Sequence, residues 1–210
     1  GASYPGARSM VTMKQVGLNV ASDPLMSLEY VGIKGGMVIL VADDPGPISS
    51  QTEQDTRHFS RFSKLPCFDP SSAQEAYEMI QEAFEYSEKY GTPVFLRPTT
   101  RVCHGYASIM VKDETEYTHH QPEGFIKDSK RWVIFPRLSF MNHKKIEARN
   151  QELSDIFSSY EKNTIHPSCD AFKDSKKGIA TGGISYTYTM ETLKKTGMVK
   201  TLKIATPHPF

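Results

Sequence analysis

Hydrophobic and polar positions along the chain switch between two periods, and the order of the switches predicts the architecture. From Met10 to Met13 a short β-prone run ends in a polar elbow, Lys14-Gln15, and then Gly17. Ser22-Asp23 and Pro24 follow: a cap-like pair, then a proline where its absent N–H has no helical partner to lose. Leu25, Met26, Leu28 and Val31 recur at helical spacing, and Gly32, Gly35 and Gly36 stop the helix. Met37 to Ala42 is apolar without interruption, the pattern of a strand buried on both faces. Strand, turn, helix and buried strand in that order predict a βαβ unit with a right-handed crossover. Ligands in open α/β sheets sit beyond the carboxyl ends of the strands. Both ends here carry polar loops, Lys14 to Asn19 and Asp43 to Gln51.

Further on, Ser50 and Glu53 stand at capping-box spacing and predict a short helix through about Phe62, with Phe59 and Phe62 on one face. Leu65 to Phe68 reads as a short strand. Ser72 and Glu75 repeat the box spacing. Ala76, Tyr77, Ile80, Ala83, Phe84 and Ser87 then follow the helical period as far as Gly91, and Pro93 to Leu96 is another short buried strand. Residues 1–106 are thus expected to form an α/β domain with a mainly parallel sheet flanked by helices, its first strand or strands and helix lying upstream of Gly1. An exposed apolar edge or face is expected near Gly1.

From Ala107 to Lys177 the pattern weakens. Ser108 to Lys112 suits a strand, Trp132 to Phe135 an extended segment before Pro136, and His143 to Lys162 a charged helix with Ile146, Leu153, Ile156, Phe157 and Tyr160 on one side. Residues 107–177 are expected to be a linker packed against its neighbours, with 168–177 as loop. Gly178 to Ser185 restarts a strand-turn-helix pattern that runs through Tyr188 and Leu193 to Gly197, and Val199 to Ala205 is the next strand. Residues 178–210 therefore read as the first βαβ unit of a second α/β domain, too little to bury a sheet on both sides.

Composition removes several functional classes. With 38% hydrophobic and 23% charged residues the chain has the make-up of a soluble globular protein. A net charge of +1 provides no global field for nucleic acid or an anionic membrane. The longest apolar run is of strand length, far short of the ~20 residues that span a bilayer. Nothing at the start resembles a signal peptide. Cys67, Cys103 and Cys169 form no C-x-x-C pair, which argues against a cysteine-built zinc or iron–sulfur site in this stretch. They read as free thiols, and their odd number suits a reducing cytoplasm.

The loops at the strand ends carry a family resemblance. Gly17-Leu18-Asn19 with Asp23-Pro24, then Ala42-Asp43-Asp44-Pro45 followed by Ser49-Ser50-Gln51 and Glu53-Gln54-Asp55, resemble in order and spacing the pyrimidine-binding domain of thiamine-diphosphate-dependent 2-oxoacid:ferredoxin oxidoreductases, specifically the α subunit of the indolepyruvate class. The similarity continues through Thr99 to His104 and, more loosely, to the end. It implies oxidative decarboxylation of aryl-2-oxoacids to acyl-CoA, with electrons passed to ferredoxin. It also implies a β subunit, coenzyme A, a dimer of the parent subunit in the cytoplasm, and iron–sulfur clusters in a C-terminal part beyond this chain. The start of the second domain resembles the family's transketolase C-terminal-type domain.

The resemblance also distributes roles. It places Lys14, Gln15, Val16, Gly17, Leu18 and Asn19 against the aminopyrimidine and the reacting carbon. Gly17 would permit close backbone approach, Val16 and Leu18 would form a wall, and Lys14 or Gln15 would reach a carboxylate; a loop chosen only for its turn is the plainer reading. Close relatives often carry a histidine where this chain has Gln15, so no acid–base role transfers to that position. Gln51, Gln54 and Arg57 are substrate candidates, although Arg57 can equally pair with Asp55. His104 is a rim candidate that reads more simply as a structural histidine, and His119-His120 read as exposed.

The family glutamate that binds the pyrimidine is expected upstream of Gly1. Glu29, read as a surface helix residue, and Glu53, read as a cap, do not replace it, so no catalytic residue is assigned within the chain. The Mg²⁺–diphosphate motif, Gly-Asp-Gly followed by Asn, is absent and no metal ligand is assigned: Asp43-Asp44 fits loop capping, and the glycines of Gly178 to Gly183 fit a tightly packed turn. The chain is therefore expected to be an inactive fragment by itself. A non-catalytic assembly subunit with the same fold, another 2-oxoacid specificity within the family, and an unrelated nucleotide-binding domain are the alternatives.

Overall fold

The computed structural model describes residues 1–117, 121–166, 176–197 and 199–210. Ser9–Lys14 (β1), Met37–Ala42 (β2), Cys67–Phe68 (β3) and Val94–Leu96 (β4) form a parallel sheet in the order β1-β2-β4-β3. The helices are Gln15–Val20 (α1), Ser22–Val31 (α2), Thr56–Ser63 (α3), Ala73–Tyr90 (α4), Thr100–Cys103 (α5), Ser129–Trp132 (α6), Pro136–Ser158 (α7) and Gly183–Thr196 (α8). The β1–β2 register runs from Ser9 opposite Met37 to Lys14 opposite Ala42, so the two polar loops leave the sheet side by side.

The continuous apolar runs are explained by burial on both faces. Val38, Val94 and Leu96 turn toward Met79 and Ala83 of α4 and Leu153 and Phe157 of α7. Their neighbours Ile39, Val41 and Phe95 turn toward Leu18 of α1, Leu25 of α2 and Leu65. A side chain buried as completely as Met79 contributes about 1.5–3 kcal/mol of transfer free energy. At the edge, β1 is less covered: Met10 is 50% and Val11 39% exposed, the apolar margin expected near Gly1.

A smaller sheet holds Ile165–His166 (β5), Gly178–Gly182 (β6) and Lys200–Ile204 (β7) in the order β5-β7-β6, with β6 parallel and β5 antiparallel to β7. The chain leaving β7 docks on the larger sheet: the Cys67 N–H donates to the His208 carbonyl at 2.9 Å, and the Asp69 N–H to Ala205 at 2.8 Å. Lys203 of β7, 5% exposed, pairs with Glu75 of α4.

Several local expectations are corrected. α3 begins at Thr56, and its cap is Asp55, which accepts from the Arg57 N–H at 2.9 Å. Ser50 and Glu53 do not cap it, because the Ser50 hydroxyl is drawn to buried Asp44. Ser72 does cap α4, but Glu75 reaches the Ser71 N–H rather than closing the box on Ser72. The elbow at Gln15 is the first residue of α1. Ser108 to Lys112 forms no strand; its backbone is held by α4 side chains, with Met110 N donating to Gln74 Oε1 at 2.8 Å and Lys112 N to the Tyr77 hydroxyl at 2.9 Å. Trp132 closes a helical turn, and the following helix begins at Pro136, ahead of His143, and stops at Ser158. Cys169, His119, His120 and most of the 168–177 loop lie outside the described residues.

Glu29 is not a surface residue. It is 2% exposed, because α7 packs on α2: Arg149 pairs with one carboxylate oxygen and the Thr92 hydroxyl donates to the other at 2.9 Å. Burial pushes its carboxyl up to about 7, against the opposing pull of Arg149 and Thr92. The folded value therefore lies above the unfolded one, so the native state retains a proton that the unfolded chain releases first. That contribution to stability is present at low pH and lost as pH rises through 7. Glu29→Gln, which has no such proton to lose, should gain about 2–3 kcal/mol relative to the parent chain between about pH 5 and pH 8. Urea unfolding of both proteins at the two pH values measures this; a pH-independent difference contradicts it.

Candidate functional site

One carboxylate ties together the two loops at the carboxyl ends of β1 and β2. Asp44 is fully buried and accepts from the Ser49 N–H at 2.6 Å, the Ser49 and Ser50 hydroxyls at 3.1 Å each, and the Thr100 hydroxyl at 2.7 Å. Lys14 Nζ lies 3.4 Å from it and also bonds the Ser49 hydroxyl. These donors, Thr100 first and the Ser49 N–H second, hold the Asp44 carboxyl well below the usual carboxylate range. Asp44 thus caps the 43–51 loop and fastens it to α5 and β1.

Gln15, only 1% exposed, sits under that loop. Its Nε2 donates to the Ser50 hydroxyl at 2.8 Å and the Thr52 carbonyl at 3.4 Å. Its Oε1 is buried without a hydrogen-bond partner. Gln15, Leu18 and Asn19 of α1 line a cavity of about 440 Å³ together with Gln54, Phe59 and Phe62. The other members of the 14–19 loop divide. Leu18 is buried in the core, Val16 is 36% exposed, and Asn19 is exposed. A Cβ on Gly17 would stand 3.1 Å from the Met13 Cβ, so the close approach this glycine permits is that of α1 to β1.

The three substrate candidates are not brought together. Gln54 lines the cavity beside Gln15, its Nε2 bonded to the Thr52 hydroxyl at 3.1 Å. Gln51 is exposed. Arg57 grips Asp55 through Nε at 3.0 Å and Nη2 at 2.6 Å and faces a separate cavity with Arg61 and His208. His104 is exposed at the end of α5.

Sequence reasoning missed the buried ion cluster beneath these loops. Arg97, directly after β4 and 4% exposed, donates to Asp43 Oδ2 at 2.5 Å and to both Asp69 oxygens at 3.2 Å, with Asp55 at 3.7 Å. Asp43 also accepts from the Thr56 N–H at 2.9 Å and from its hydroxyl at 2.5 Å. Burial pushes the Asp69 carboxyl up to about 6 even with Arg97 beside it. The signal was available: an arginine that closes a buried apolar strand must find carboxylates. Asp43 and Asp44 are both committed to protein donors, and among the described residues no group of three or more His, Cys, Asp or Glu is placed to hold a metal. Gly183 has φ +52°, and a Cβ there would lie 2.6 Å from Asp69 Oδ1. The β6–α8 turn is therefore packed at Gly183 against a carboxylate. Arg97→Met, which leaves two buried carboxylates without their cation, should lower unfolding free energy by about 3–5 kcal/mol; a loss near zero in urea titration would show that water already screens the cluster.

A family model described as pyruvate flavodoxin/ferredoxin oxidoreductase, thiamine diphosphate-binding, matches residues 1–173. The chain is 40% identical over 213 residues to the indolepyruvate oxidoreductase subunit IorA of Pyrococcus abyssi, an alignment covering 99% of this chain and 32% of that protein. It is 40% identical over 211 residues to the subunit of the same name from Methanothermobacter thermautotrophicus, covering 100% and 33%. The chain thus spans about a third of the length of the curated relatives it matches. Among solved structures, a 2-oxoglutarate:ferredoxin oxidoreductase from Magnetococcus marinus, with 2-oxoglutarate, coenzyme A and succinyl-CoA bound, aligns at a TM-score of 0.66. That alignment has 16% identity and covers 100% of this chain and 44% of the other, a likeness of fold. No helix among the described residues is long and apolar enough to cross a membrane.

Proposed function

The chain belongs to the pyruvate flavodoxin/ferredoxin oxidoreductase thiamine-diphosphate-binding family, and on that premise we propose that it is the pyrimidine-facing part of an indolepyruvate-class 2-oxoacid:ferredoxin oxidoreductase. The parent would oxidatively decarboxylate aryl-2-oxoacids, releasing CO₂, passing two electrons to ferredoxin and the acyl group to coenzyme A. In this reading a β subunit, a dimer of the parent subunit, iron–sulfur clusters, the Mg²⁺–diphosphate segment and the pyrimidine-binding glutamate complete the enzyme outside residues 1–210. We place that enzyme in the cytoplasm, in keeping with the free thiols of Cys67 and Cys103.

The observation that carries the proposal is the orphaned Gln15 Oε1 beside a cavity of about 440 Å³. An amide oxygen held there by Ser50 and Thr52 is suited to accept from an N–H on the edge of an aminopyrimidine, and Leu18 with Phe59 offers the apolar wall a ring needs. Bound thiamine diphosphate would supply the electron sink for loss of CO₂ from a 2-oxoacid. Gln15 does not titrate, so its part is to position; the proton relay requires the glutamate. Lys14, next to Gln15 in sequence, paired with Asp44 and with 36% of its side chain exposed, would in this reading offer its charge to a substrate carboxylate. Asn19 and Gln54 also line the cavity, whereas exposed Val16 is not part of its lining.

A few contacts to a ring do not offset the freedom lost on binding. The isolated chain should therefore show no oxidoreductase turnover and bind thiamine diphosphate with Mg²⁺ at about millimolar affinity, near −4 kcal/mol, by titration calorimetry. A micromolar constant would mean that the chain contains an anchor of its own. In the complete parent subunit, Gln15→Ala should weaken cofactor binding roughly 5–10-fold; an unchanged constant removes Gln15 from the site.

A further inference from the structure

A third cavity lies at the amino ends of β2 and β4, the end of the sheet away from the loops described above. Its volume is about 500 Å³, within the range of small-molecule sites. α2 and α4 both terminate against it, at Gly32 and Gly91, and α6 and α7 close the other side. The charges that line it are one-sided: Lys130, Arg131, Lys145 and Arg149 against Glu29 alone.

Local structure uses only part of that charge. Arg149 is taken by Glu29 and donates to the Lys64 carbonyl at 3.2 Å. Arg131 donates one Nη2 bond of 3.2 Å to the Ile33 carbonyl, and its guanidinium lies 4.4 Å from the Trp132 ring centroid. Lys130 and Lys145 are exposed at the mouth, and neither has an acidic partner among the described residues. Deeper in, the Arg149 Nε is buried with no hydrogen-bond partner. Buried donors of this kind are rare in folded proteins, and this one belongs to a side chain lining a basic cavity. Val31, Ile33 and Leu138 supply an apolar wall.

We infer that this cavity binds a small amphipathic anion, with a phosphate head held by Lys130, Arg131 and Lys145 and an apolar body against Val31, Ile33 and Leu138. Three cations at one mouth exceed what a single carboxylate neutralises, which favours a doubly charged head. The site is independent of the cofactor reading, since it shares no residue with the cavity at Gln15.

Trp132 is the sole tryptophan of the chain, so an anion that engages Arg131 changes its fluorescence. Phenyl phosphate titrated into the 210-residue chain, with ionic strength held constant by sodium chloride, should give a saturable change. Inorganic phosphate, which lacks the apolar body, should bind at least about threefold more weakly. The double variant Lys130→Ala with Lys145→Ala should weaken phenyl phosphate by roughly tenfold and leave thermal unfolding of the chain in place. An unsaturable response, or an unchanged constant in the double variant, overturns the site. Equal constants for the two phosphates overturn the assigned apolar body.

Discussion

One guanidinium holds the carboxyl end of this sheet together. Arg97 follows β4, Asp43 follows β2 and Asp69 follows β3, so the contacts of a single side chain fasten the ends of three parallel strands. The consequences spread outward from it. Asp43 receives the first backbone N–H of α3, which sets where that helix begins. Asp69 fills the space before α8 and takes the chain leaving β7 on its N–H, so the second sheet is docked through the same cluster. Buried ion pairs contribute little net stability compared with well-packed apolar groups, but breaking one leaves an uncompensated charge. The cluster therefore acts as a constraint: arrangements that separate the three strand ends are penalised far more than this one is rewarded.

On that base a second polar layer forms at the surface. Asp44, next in sequence to Asp43, turns the other way and gathers Ser49, Ser50, Thr100 and Lys14. Two adjacent carboxylates thus divide the work, one locking strands and the other shaping a loop. Gln15 is held by the shaped loop, and its unpaired oxygen is kept beside the cavity by contacts that trace back to Arg97 within a few residues.

How much of this was legible in the chain depends on whether a residue's environment is local. β1, β2, β4 and the long helix after Ser72 could be read because alternation, apolar runs and caps are properties of neighbours in sequence. The start of α3 could not be read from Ser50 and Glu53. A Ser-x-x-Glu pattern competes with any buried acceptor nearby, and Asp44 took the hydroxyl. Glu29 looked like a solvent-facing helix residue because its covering element, α7, lies 120 residues on. α1 is a single short helix whose six residues show no period. The site divides in the same way. The motifs led to Gln15, Gln54 and Asp44, whereas the cluster that positions them joins residues from four separate segments.

The two edges of the parallel sheet are finished differently. Along β3, the segment after β7 lies alongside and takes the Cys67 N–H, so that margin is sealed by the chain itself. Along β1 no described strand pairs with the outer side, and half-exposed Met10 and Val11 flank it. The sheet is therefore a one-ended ladder. Any further strand, from whatever source, can extend it in only one direction.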